Sequence, residues 1–399
     1  MTSVGNTDTA TTTIQAKQVV AGSQRLPTFN IVVDTVDFNK DGYSATVNRV
    51  MVDETIDKIS YAEIVLANNS MDMSTDDLFS PNKEMTITTG FQGDTYEVRD
   101  VFETVNPLFR VSRSGIIIMR GFSTGIIATR DGRQTVYYNK THSDIANEIA
   151  GFYNWGKDID ATRLSYPQIM QAGKTDYQLL KEMSFLNGFD FYISNNILHF
   201  HGLREEKPIA LYSPTMIYSG EFEIESEGRA VTVGISEYDP LKGTVFNVNS
   251  IDSGKSVINE NGTDVVGWDD LSAIRKLFLV DAGQFLTKGE AQLFVDGLQN
   301  AGRYVVRANI KAMGNELIHP RSLVEIMGMG RFSGVYYVRE VTHTIQNNDY
   351  ICDLVIVRAF IEKAVREGIL IGASGSGIPT SGGKMDVTNK SKSAGTVVS

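Results

Sequence analysis

A row of carboxylates is the most regular candidate for chemistry in this sequence. The row consists of Glu221, Glu223, Glu225 and Glu227. In a strand, this spacing places all four carboxylates on one face, and Phe222 and Ile224 on the other. A glycosidase pair needs two carboxylates from different elements across a cleft, whereas four in one row repel one another. The row therefore predicts either a solvated strand face or an acidic surface, such as a channel wall or an interface for a basic partner.

Two histidines form a second candidate, a metal site. His199 and His201 lie two residues apart, so a strand would place both imidazoles on one face. Zinc sites use imidazole ligands, but they need at least three ligands from the protein. The sequence offers no evident third ligand and no HExxH pattern. We therefore expect a solvated or half-buried pair on a hairpin, without a metal or another cofactor.

Three further motifs fail on their spacing or context. Residues 37–42 (DFNKDG) match the first half of a calcium loop, but position twelve is Asn48, so a backbone-bonded turn is expected. Residues 253–256 (SGKS) lack the first glycine of a phosphate loop, since Asn249 stands there. The sole cysteine, Cys352, lies in an apolar strand and is expected to be a buried hydrophobe. These failures predict that the protein is not an enzyme.

Composition narrows the class of protein further. The chain has 399 residues, with 42% hydrophobic and 21% charged residues, which is ordinary for a globular protein of several domains. A net charge of −11 argues against a nucleic-acid surface, which needs clustered Lys and Arg. No apolar run approaches the ~20 residues of a membrane span. The N-terminus lacks the features of a signal peptide, so synthesis in a reducing cytoplasm is expected.

Alternating strands predict β-structure in two parts of the chain. Residues 29–38 and 43–53 alternate on either side of a turn, which predicts a hairpin. Later strands follow at a spacing that suits a small antiparallel barrel or sandwich over residues 27–134. A second set of strands, together with an amphipathic helix at residues 287–301, covers residues 219–362.

A different pattern separates these two parts. Residues 135–218 contain two amphipathic helices: residues 141–144 are expected to cap the first, Thr175 is expected to cap the second, and Asn187 and Gly188 are expected to end the second. A tight hairpin at Asn195 and Asn196 follows, so a small α/β insert is predicted. Residues 1–26 predict an extended arm, and residues 363–399 a low-complexity tail.

Two stretches of the chain repeat each other. Residues 96–105 (YEVRDVFETV) match residues 336–345 (YYVREVTHTI) at an offset of 240 residues, and the following strand repeats at an offset of 238. The shared positions that we take as a repeat core are Tyr96, Val98, Arg99, Arg120, Tyr336, Val338, Arg339 and Arg358. Chance similarity of two alternating hairpins would give the hydrophobic positions, but it would not favour Tyr and Arg in the same frame. We therefore predict a mainly β fold with an α/β insert (α+β), built from two antiparallel β-barrels by duplication.

The second set of strands resembles a known family. Residues 288–358 resemble the late-control-protein and hub family of contractile injection machines, which includes the baseplate hub of contractile phage tails and the hub part of type VI spike proteins. The matching positions are Pro320, Val324, Ile326, Gly328, Phe332, Ser333, Gly334, Tyr336, Val338, Val341, His343 and Arg358. The insert fits the family as well, through residues 176–200. The family often has Pro-Gly before the first strand, where this chain has Pro320 and Arg321.

The resemblance implies an assembly protein. Such a hub is a homotrimer with two tail-tube-like barrels in each subunit, which form a pseudo-sixfold ring between the hexameric tail tube and the trimeric spike. Its partners are then tube, spike and other baseplate proteins, without a membrane span and without stable nucleic-acid binding. The resemblance places the protein in the virion tail baseplate, assembled in the bacterial cytoplasm. DNA would pass through the channel, whose wall would suit the glutamate row.

Two alternatives stay open at this point. A cell-wall hydrolase carried on the tail would need a carboxylate pair or a metal triad. A hub of a non-contractile phage tail shares the barrel ancestry, and the sequence separates it poorly from the contractile case.

Overall fold

Antiparallel β-structure dominates the computed structural model of the chain. The described residues are 17–18, 26–56, 58–68, 72–92, 97–111, 115–202, 208–224, 232–239, 243–249, 265–266, 277–279, 288–289, 291–292, 295, 304, 306–358 and 361–362. The strands are β1 (Lys17–Gln18), β2 (Pro27–Val33), β3 (Val36–Asp37), β4 (Val47–Thr55), β5 (Tyr61–Ala67), β6 (Glu84–Phe91), β7 (Glu97–Arg110), β8 (Ile116–Ser123), β9 (Val136–Thr141), β10 (Gly156–Ile159), β11 (Ser165–Met170), β12 (Asp190–Ser194), β13 (Ile197–His201), β14 (Ala210–Tyr212), β15 (Ile217–Ile224), β16 (Thr232–Asp239), β17 (Thr244–Asn249), β18 (Val265–Val266), β19 (Leu277–Leu279), β20 (Val306–Met313), β21 (Leu323–Ile326), β22 (Gly334–Gln346), β23 (Asp349–Arg358) and β24 (Ile361–Glu362). The two α-helices of the insert are α1 (His142–Phe152) and α2 (Asp176–Asn187).

One large sheet contains strands from both predicted β-regions. Its fourteen described strands run β1-β14-β21-β22-β4-β5-β8-β7-β6-β2-β3, and β23, β20 and β15 branch from β22 in that order. The predicted mainly β class is therefore confirmed. Strand pairing does not divide residues 27–134 from residues 219–362, because the β4–β22 ladder makes one sheet of both ranges.

The predicted hairpin at residues 29–53 is wrong. β2 pairs with β3 and β6, whereas β4 pairs with β5 and β22. The turn at residues 37–42 nevertheless has the expected chemistry: Asp37 accepts a hydrogen bond from the Asn39 backbone N–H (3.0 Å), and Asp41 accepts one from the Asp37 N–H (2.9 Å). Alternation gives each strand its buried face, but it does not choose the partner strand.

A continuous hydrophobic cluster lies against the large sheet. Phe38 and Phe102 come from the first β-region, and Tyr212, Tyr336 and Leu354 come from later strands. All five side chains are buried. The two β-regions therefore share one core, and burial of this apolar surface stabilises them together.

The α/β insert has a hydrophobic cluster of its own. Ile145 on α1, Leu180 on α2 and Phe200 on β13 are fully buried in it. Strands β10, β13 and β12 form a three-stranded sheet, and β9 pairs with β11. β14 lies inside the range predicted for the insert, yet it joins the large sheet through β21.

Local sequence signals define both helices of the insert. Thr141 and Thr175 each accept a hydrogen bond from the third helical residue, which forms a capping box. Gly188 ends α2 with φ of 64°, a left-handed conformation that glycine adopts at low cost. Asn195 and Asn196, both with positive φ, form the predicted turn between β12 and β13.

Several predicted regions lie partly or wholly outside the described residues. These are the arm at residues 1–26, apart from β1 and Leu26, most of the helix at residues 287–301, and the tail at residues 363–399. Within the helix, residues 288–289, 291–292 and 295 are helical, and Ala291 and Val295 are buried as predicted. None of the helices in the described part of the chain is long and apolar enough to cross a membrane.

Candidate assembly surface

The ladder between β4 and β22 joins the two β-regions. Residues 340–346 of β22 lie opposite residues 49–55 of β4. The beginning of β22, residues 334–337, pairs instead with β21. Its other edge pairs with β23 along most of its length. β22 therefore changes partner along one edge, and its second half pairs with the first β-region through β4.

A buried charged cluster lies beneath this joint. The Arg99 side chain is 1% exposed, and it donates to the Ile318 carbonyl oxygen (3.0 Å). Its guanidinium lies 2.8 Å from His343 Nε2 and 3.8 Å from a Glu54 carboxylate oxygen. The other Glu54 oxygen lies 2.9 Å from His319 Nδ1. Because a buried charge needs partners, this cluster ties the first β-region to the loop before β21.

Cys352 and His343 meet in the same cluster without forming a nucleophile. His343 Nδ1 lies 3.3 Å from Cys352 Sγ and 2.8 Å from Tyr350 Oη. Burial, followed by the charge of Arg99, lowers the pKa of His343 well below its usual value. Burial raises the pKa of the Cys352 thiol to about 12. The thiol therefore stays protonated, which fits the predicted role as a core residue and not acyl-transfer chemistry.

Five strands follow the same order in both β-regions. In the first region the neighbours run β4-β5-β8-β7-β6. In the second they run β15-β20-β23-β22-β21. Every neighbouring pair in these two series is antiparallel. We number the five strands of each series by their order along the chain. In both series, their order across the sheet is then first, second, fifth, fourth and third.

Arg99 and Arg339 both lie at irregularities of a fourth strand, but on opposite edges of it: Arg99 faces the third strand and Arg339 the fifth. The β6–β7 ladder passes from Val98 to Asp100 without a partner for Arg99. The β22–β23 ladder likewise skips Arg339. Each arginine is thus the extra residue of a β-bulge on the fourth strand of its series. They differ in burial, since Arg99 is buried and Arg339 is only half-buried.

The other repeat positions on the fourth strands are not alike. Val98 is 41% exposed, because strand alternation places it on the face opposite the buried Arg99. Val338, its sequence counterpart, is fully buried. Tyr336 is also buried, and its hydroxyl donates to the Phe332 carbonyl oxygen (2.6 Å). Tyr96 lies outside the described residues, so the Tyr96–Tyr336 match stays a prediction.

Strand pairing does not place Arg120 and Arg358 at equivalent points. Arg120 lies opposite Val105 in the second half of β7, and it forms an ion pair of 3.2 Å with Glu63. Arg358 ends β23, just beyond the residue that pairs with the start of β22. Its guanidinium lies over the Tyr336 ring at 5.6 Å. The longer β7 shifts its hairpin relative to the β22–β23 hairpin, which sequence matching alone does not reveal.

Within the two five-strand series, two strand edges have no ladder partner among the described residues. Residues 105–110 of β7 pair with β8 on one side only. β15 pairs only with β20. Apolar side chains are exposed along or beside these edges: Leu108 (38%), Phe109 (37%), Val111 (76%) and, on β15, Tyr218 (59%). Open edges with exposed apolar residues are suited to pairing with another chain.

The described half of the glutamate row lies on the exposed face of β15. Glu221 is opposite Asn309, and Glu223 is opposite Arg307 on β20. Phe222, between them, packs on the core with its ring 5.1 Å from that of Phe332. Glu225 and Glu227 lie outside the described residues.

A shallow groove on the same face is mainly acidic. Glu221, Glu340 and Asp353 line it together with one lysine, Lys311, whose Nζ lies 3.9 Å from Asp353. The charged groups of this groove come from four adjacent strands. The acidic surface therefore extends from β15 to the joint.

The two histidines of the insert have a carboxylate neighbour that sequence reasoning missed. Asp158 lies on β10, directly across the ladder from His199 on β13. Its Oδ2 lies 2.9 Å from His199 Nδ1 and 3.1 Å from His201 Nε2. Within the described residues, these three form a group that can hold a metal ion. Asp158 and His199 are far apart in the sequence and become neighbours only through the pairing of β10 with β13, so a search for short motifs does not find the third ligand.

The architecture is the fold of phage tail proteins. A 43 kDa tail protein of prophage MuSo2 from Shewanella oneidensis superposes with a TM-score of 0.61 at 10% identity, covering 84% of this chain and 98% of that one. A tail protein from Neisseria meningitidis MC58 gives a TM-score of 0.61 at 11% identity, with 83% and 96% coverage. The prophage tail protein gp18 from Listeria monocytogenes EGD-e gives 0.50 at 9% identity, with 77% and 87% coverage. The expected resemblance is therefore confirmed at the level of the fold.

A match to a family model identifies the sequence family of this chain. Residues 23–347 match the family model described as the Alg8 N-terminal domain, and the chain belongs to that family. No curated protein matches the chain in a sequence search.

Proposed function

We propose that this protein is the structural baseplate hub of a contractile tail. Three copies form a pseudo-sixfold ring that joins a hexameric tail tube to a trimeric spike in the virion baseplate. Residues 27–134 and 219–362 act as the two tube-like units, and residues 135–218 are the α/β insert between them, of which β14 joins the large sheet. The tail-protein fold and the repeated strand order support this proposal.

The β4–β22 joint is the observation that carries the proposal. It pairs the fourth strand of the second series with the first strand of the first series. The joint uses one fourth strand and one first strand. The other fourth strand is β7 of the first series, and the other first strand is β15 of the second series. Each has an open edge in the described structure. If β7 of one copy pairs with β15 of the next, the same joint repeats around a closed ring.

The acidic groove gives this ring a channel lining. Glu221, Glu340 and Asp353 line the groove from β15, β22 and β23, all on the second β-region's side of the joint. In the ring, this groove lines the channel, where negative charge repels the phosphates of passing DNA and keeps it from binding.

The mass of the assembled particle tests the ring. Native mass spectrometry of the purified chain alone is expected to show a particle of about 132 kDa, three times the 44.0 kDa of one chain, and three copies of the chain are expected in any complex with the tail-tube partner. A chain that remains monomeric even with the tube protein present contradicts the proposal.

Substitution at the open edge tests the interface. Leu108→Asp with Phe109→Asp places charges on the edge of β7 and is expected to abolish the trimer without unfolding the chain, because both side chains are already exposed. Met170→Asp is the matched control, since Met170 is 57% exposed on the insert. A trimer that survives the β7 substitutions, or is lost equally in the control, contradicts the proposed edge pairing.

A further inference from the structure

The Asp158, His199 and His201 cluster has the geometry of a metal site. One ligand atom from each residue lies within 4.8 Å of the other two. Ligands at about 2.1 Å from a tetrahedral zinc ion lie about 3.4 Å apart, so the carboxylate–imidazole distances of 2.9 and 3.1 Å need to widen by only a few tenths of an ångström. The side chains therefore converge on a point that one ion can occupy.

Neighbouring groups fix the orientation of both imidazoles. The His199 ring stacks on Tyr192 at 4.3 Å with an interplanar angle of 5°. His201 Nδ1 lies 2.9 Å from the Gly202 carbonyl oxygen, which favours a proton on Nδ1. Nε2 of His201 then has a lone pair that faces Asp158 Oδ2, so two acceptors meet and a cation between them is favoured.

Arg321 is the competing cation at this site. Its guanidinium contacts both nitrogens of His201. It is also anchored elsewhere, since Nε donates to Asp190 Oδ2 (3.1 Å) and Nη2 donates to the Gly202 carbonyl oxygen (3.0 Å). An ion at the cluster therefore has to displace only the contact of Arg321 with His201 Nε2, and the remaining contacts hold the arginine in place.

The cluster lies where the insert meets the large sheet. A cavity of about 290 Å³ opens beside it, lined by Asp158, His199 and His201 on one side and by residues 319–322 on the other. The cavity leaves room for a water molecule or a substrate group at a fourth coordination position.

We propose that Asp158, His199 and His201 bind one divalent transition-metal ion of the zinc type, which stiffens the insert at its contact with the large sheet. Two imidazoles and one carboxylate form a nitrogen and oxygen ligand set that suits zinc and its first-row neighbours better than calcium or magnesium.

Metal titration of the untagged full-length chain tests the proposal. After dialysis against EDTA, calorimetric titration with ZnCl₂ is expected to show one ion per chain, and Co²⁺ is expected to give the visible absorption of a four-coordinate site. Zn²⁺ is also expected to raise the Tm of the wild type, because an ion that binds only the folded state stabilises it.

A matched pair of variants identifies the ligands. Asp158→Asn is expected to weaken binding by more than the ~10–100-fold that loss of an outer partner costs. Asp160→Asn makes the same change two residues further along and is expected to leave the affinity unchanged. Arg321→Met, which removes the competing cation, is expected to tighten binding. No saturable binding by the wild type, or equal losses in the Asp158 and Asp160 variants, overturns the proposal.

Discussion

Arg99 shows how much a single side chain determines at the joint. It is the extra residue of a bulge, so its side chain turns into the core, where it contacts His343 and the carbonyl oxygens of Glu316 and Ile318. A buried guanidinium does not by itself stabilise a fold, since its desolvation is costly. Both carbonyl partners come from the loop before β21, so the arrangement specifies which loop packs against β7.

Removal of this charge is expected to be strongly destabilising. Arg99→Met leaves the buried Glu54 carboxylate without its cation, and loss of one partner of a buried pair costs about 3–5 kcal/mol. Urea unfolding followed by circular dichroism measures the difference. Arg339→Met is the control, the same change at the bulge of β22, and a smaller loss is expected because Arg339 is half-buried. Equal losses in the two variants would contradict this account of the joint.

Asp100, the neighbour of Arg99, is a buried carboxyl that faces the insert. Its Oδ1 accepts hydrogen bonds from the backbone N–H groups of Asn195 (2.6 Å) and Val101 (2.7 Å). Burial raises the pKa of Asp100 to about 7, against the opposing effect of these hydrogen bonds. The folded chain thus binds this proton more tightly than the unfolded chain does.

This raised pKa predicts a pH dependence with a definite sign. Between the ordinary pKa of 3.8 and about 7, the folded state holds the proton that the unfolded state releases, so stability falls as pH rises through this window. Asp100→Asn keeps the acceptor oxygen and removes the titration. We expect the variant to gain stability relative to wild type as pH rises from 5 to 8, as measured by denaturant unfolding. A difference that is the same at both pH values would rule out this role for Asp100.

Residue roles were predictable from the sequence only where one element supplies them. The His199 and His201 pair was found because both lie on one strand. Asp158 was missed because parallel pairing of β10 with β13 brings it there. The burial of Arg99 was missed for a similar reason, since a bulge cannot be read from alternation.

At the scale of elements, the helices of the insert follow from local chemistry. Capping groups satisfy the free N–H groups at the first turn, and this signal lies within four residues of sequence. Both caps and the Asn195–Asn196 turn were therefore predictable. The partners of β2 and β4 were not, because an alternating strand fits many neighbours equally well.

The cap of α2 gives a direct test of this local account. Thr175→Ala removes the hydroxyl that accepts from the Gln178 backbone N–H (3.2 Å), and a loss of ~1 kcal/mol is expected. Thr175→Ser keeps the hydroxyl and is expected to retain most of the stability. Urea unfolding of the three proteins measures the difference, and a serine variant as unstable as the alanine variant would show that the hydroxyl is not what matters.

At the scale of the whole molecule, the proposed ring predicts contacts between copies. Phe109→Cys in one preparation and Tyr218→Cys in another place single thiols beside the two open edges. A flexible bismaleimide is expected to link them only when the preparations are mixed, because each edge meets the other edge of a different copy. The native Cys352 is buried and protonated, so it does not compete.

A control preparation distinguishes a specific cross-link between the two edges from random collision. Met170→Cys carries an equally accessible thiol on the insert, and mixing it with Phe109→Cys is expected to give no linked dimer on a denaturing gel. Linkage of both mixtures would indicate random collision, and linkage of neither would count against the ring.

The fold class of the whole molecule was predictable from the sequence, but the β4–β22 joint was not. The order of strand motifs predicted a mainly β tail protein with an insert, and the fold agrees. Arg99 and Arg339, two matched positions of the predicted repeat, both lie at bulges, but Arg99 faces the third strand of its series and Arg339 the fifth, so the repeat stays a prediction. Sequence matching misplaced Arg120 against Arg358, because a length change in the hairpin shifts pairing without changing residue identity.

The joint also has a consequence for synthesis on the ribosome. The hydroxyl of Thr342 on β22 donates to Asp53 on β4 across 289 residues. At roughly 5–20 residues per second, translation of that interval takes ~15–60 s, during which β4 waits for its partner. Long-range closure of this kind also slows folding after release. We therefore expect the chain to depend on chaperones during synthesis, while the first β-region has emerged and β22 has not.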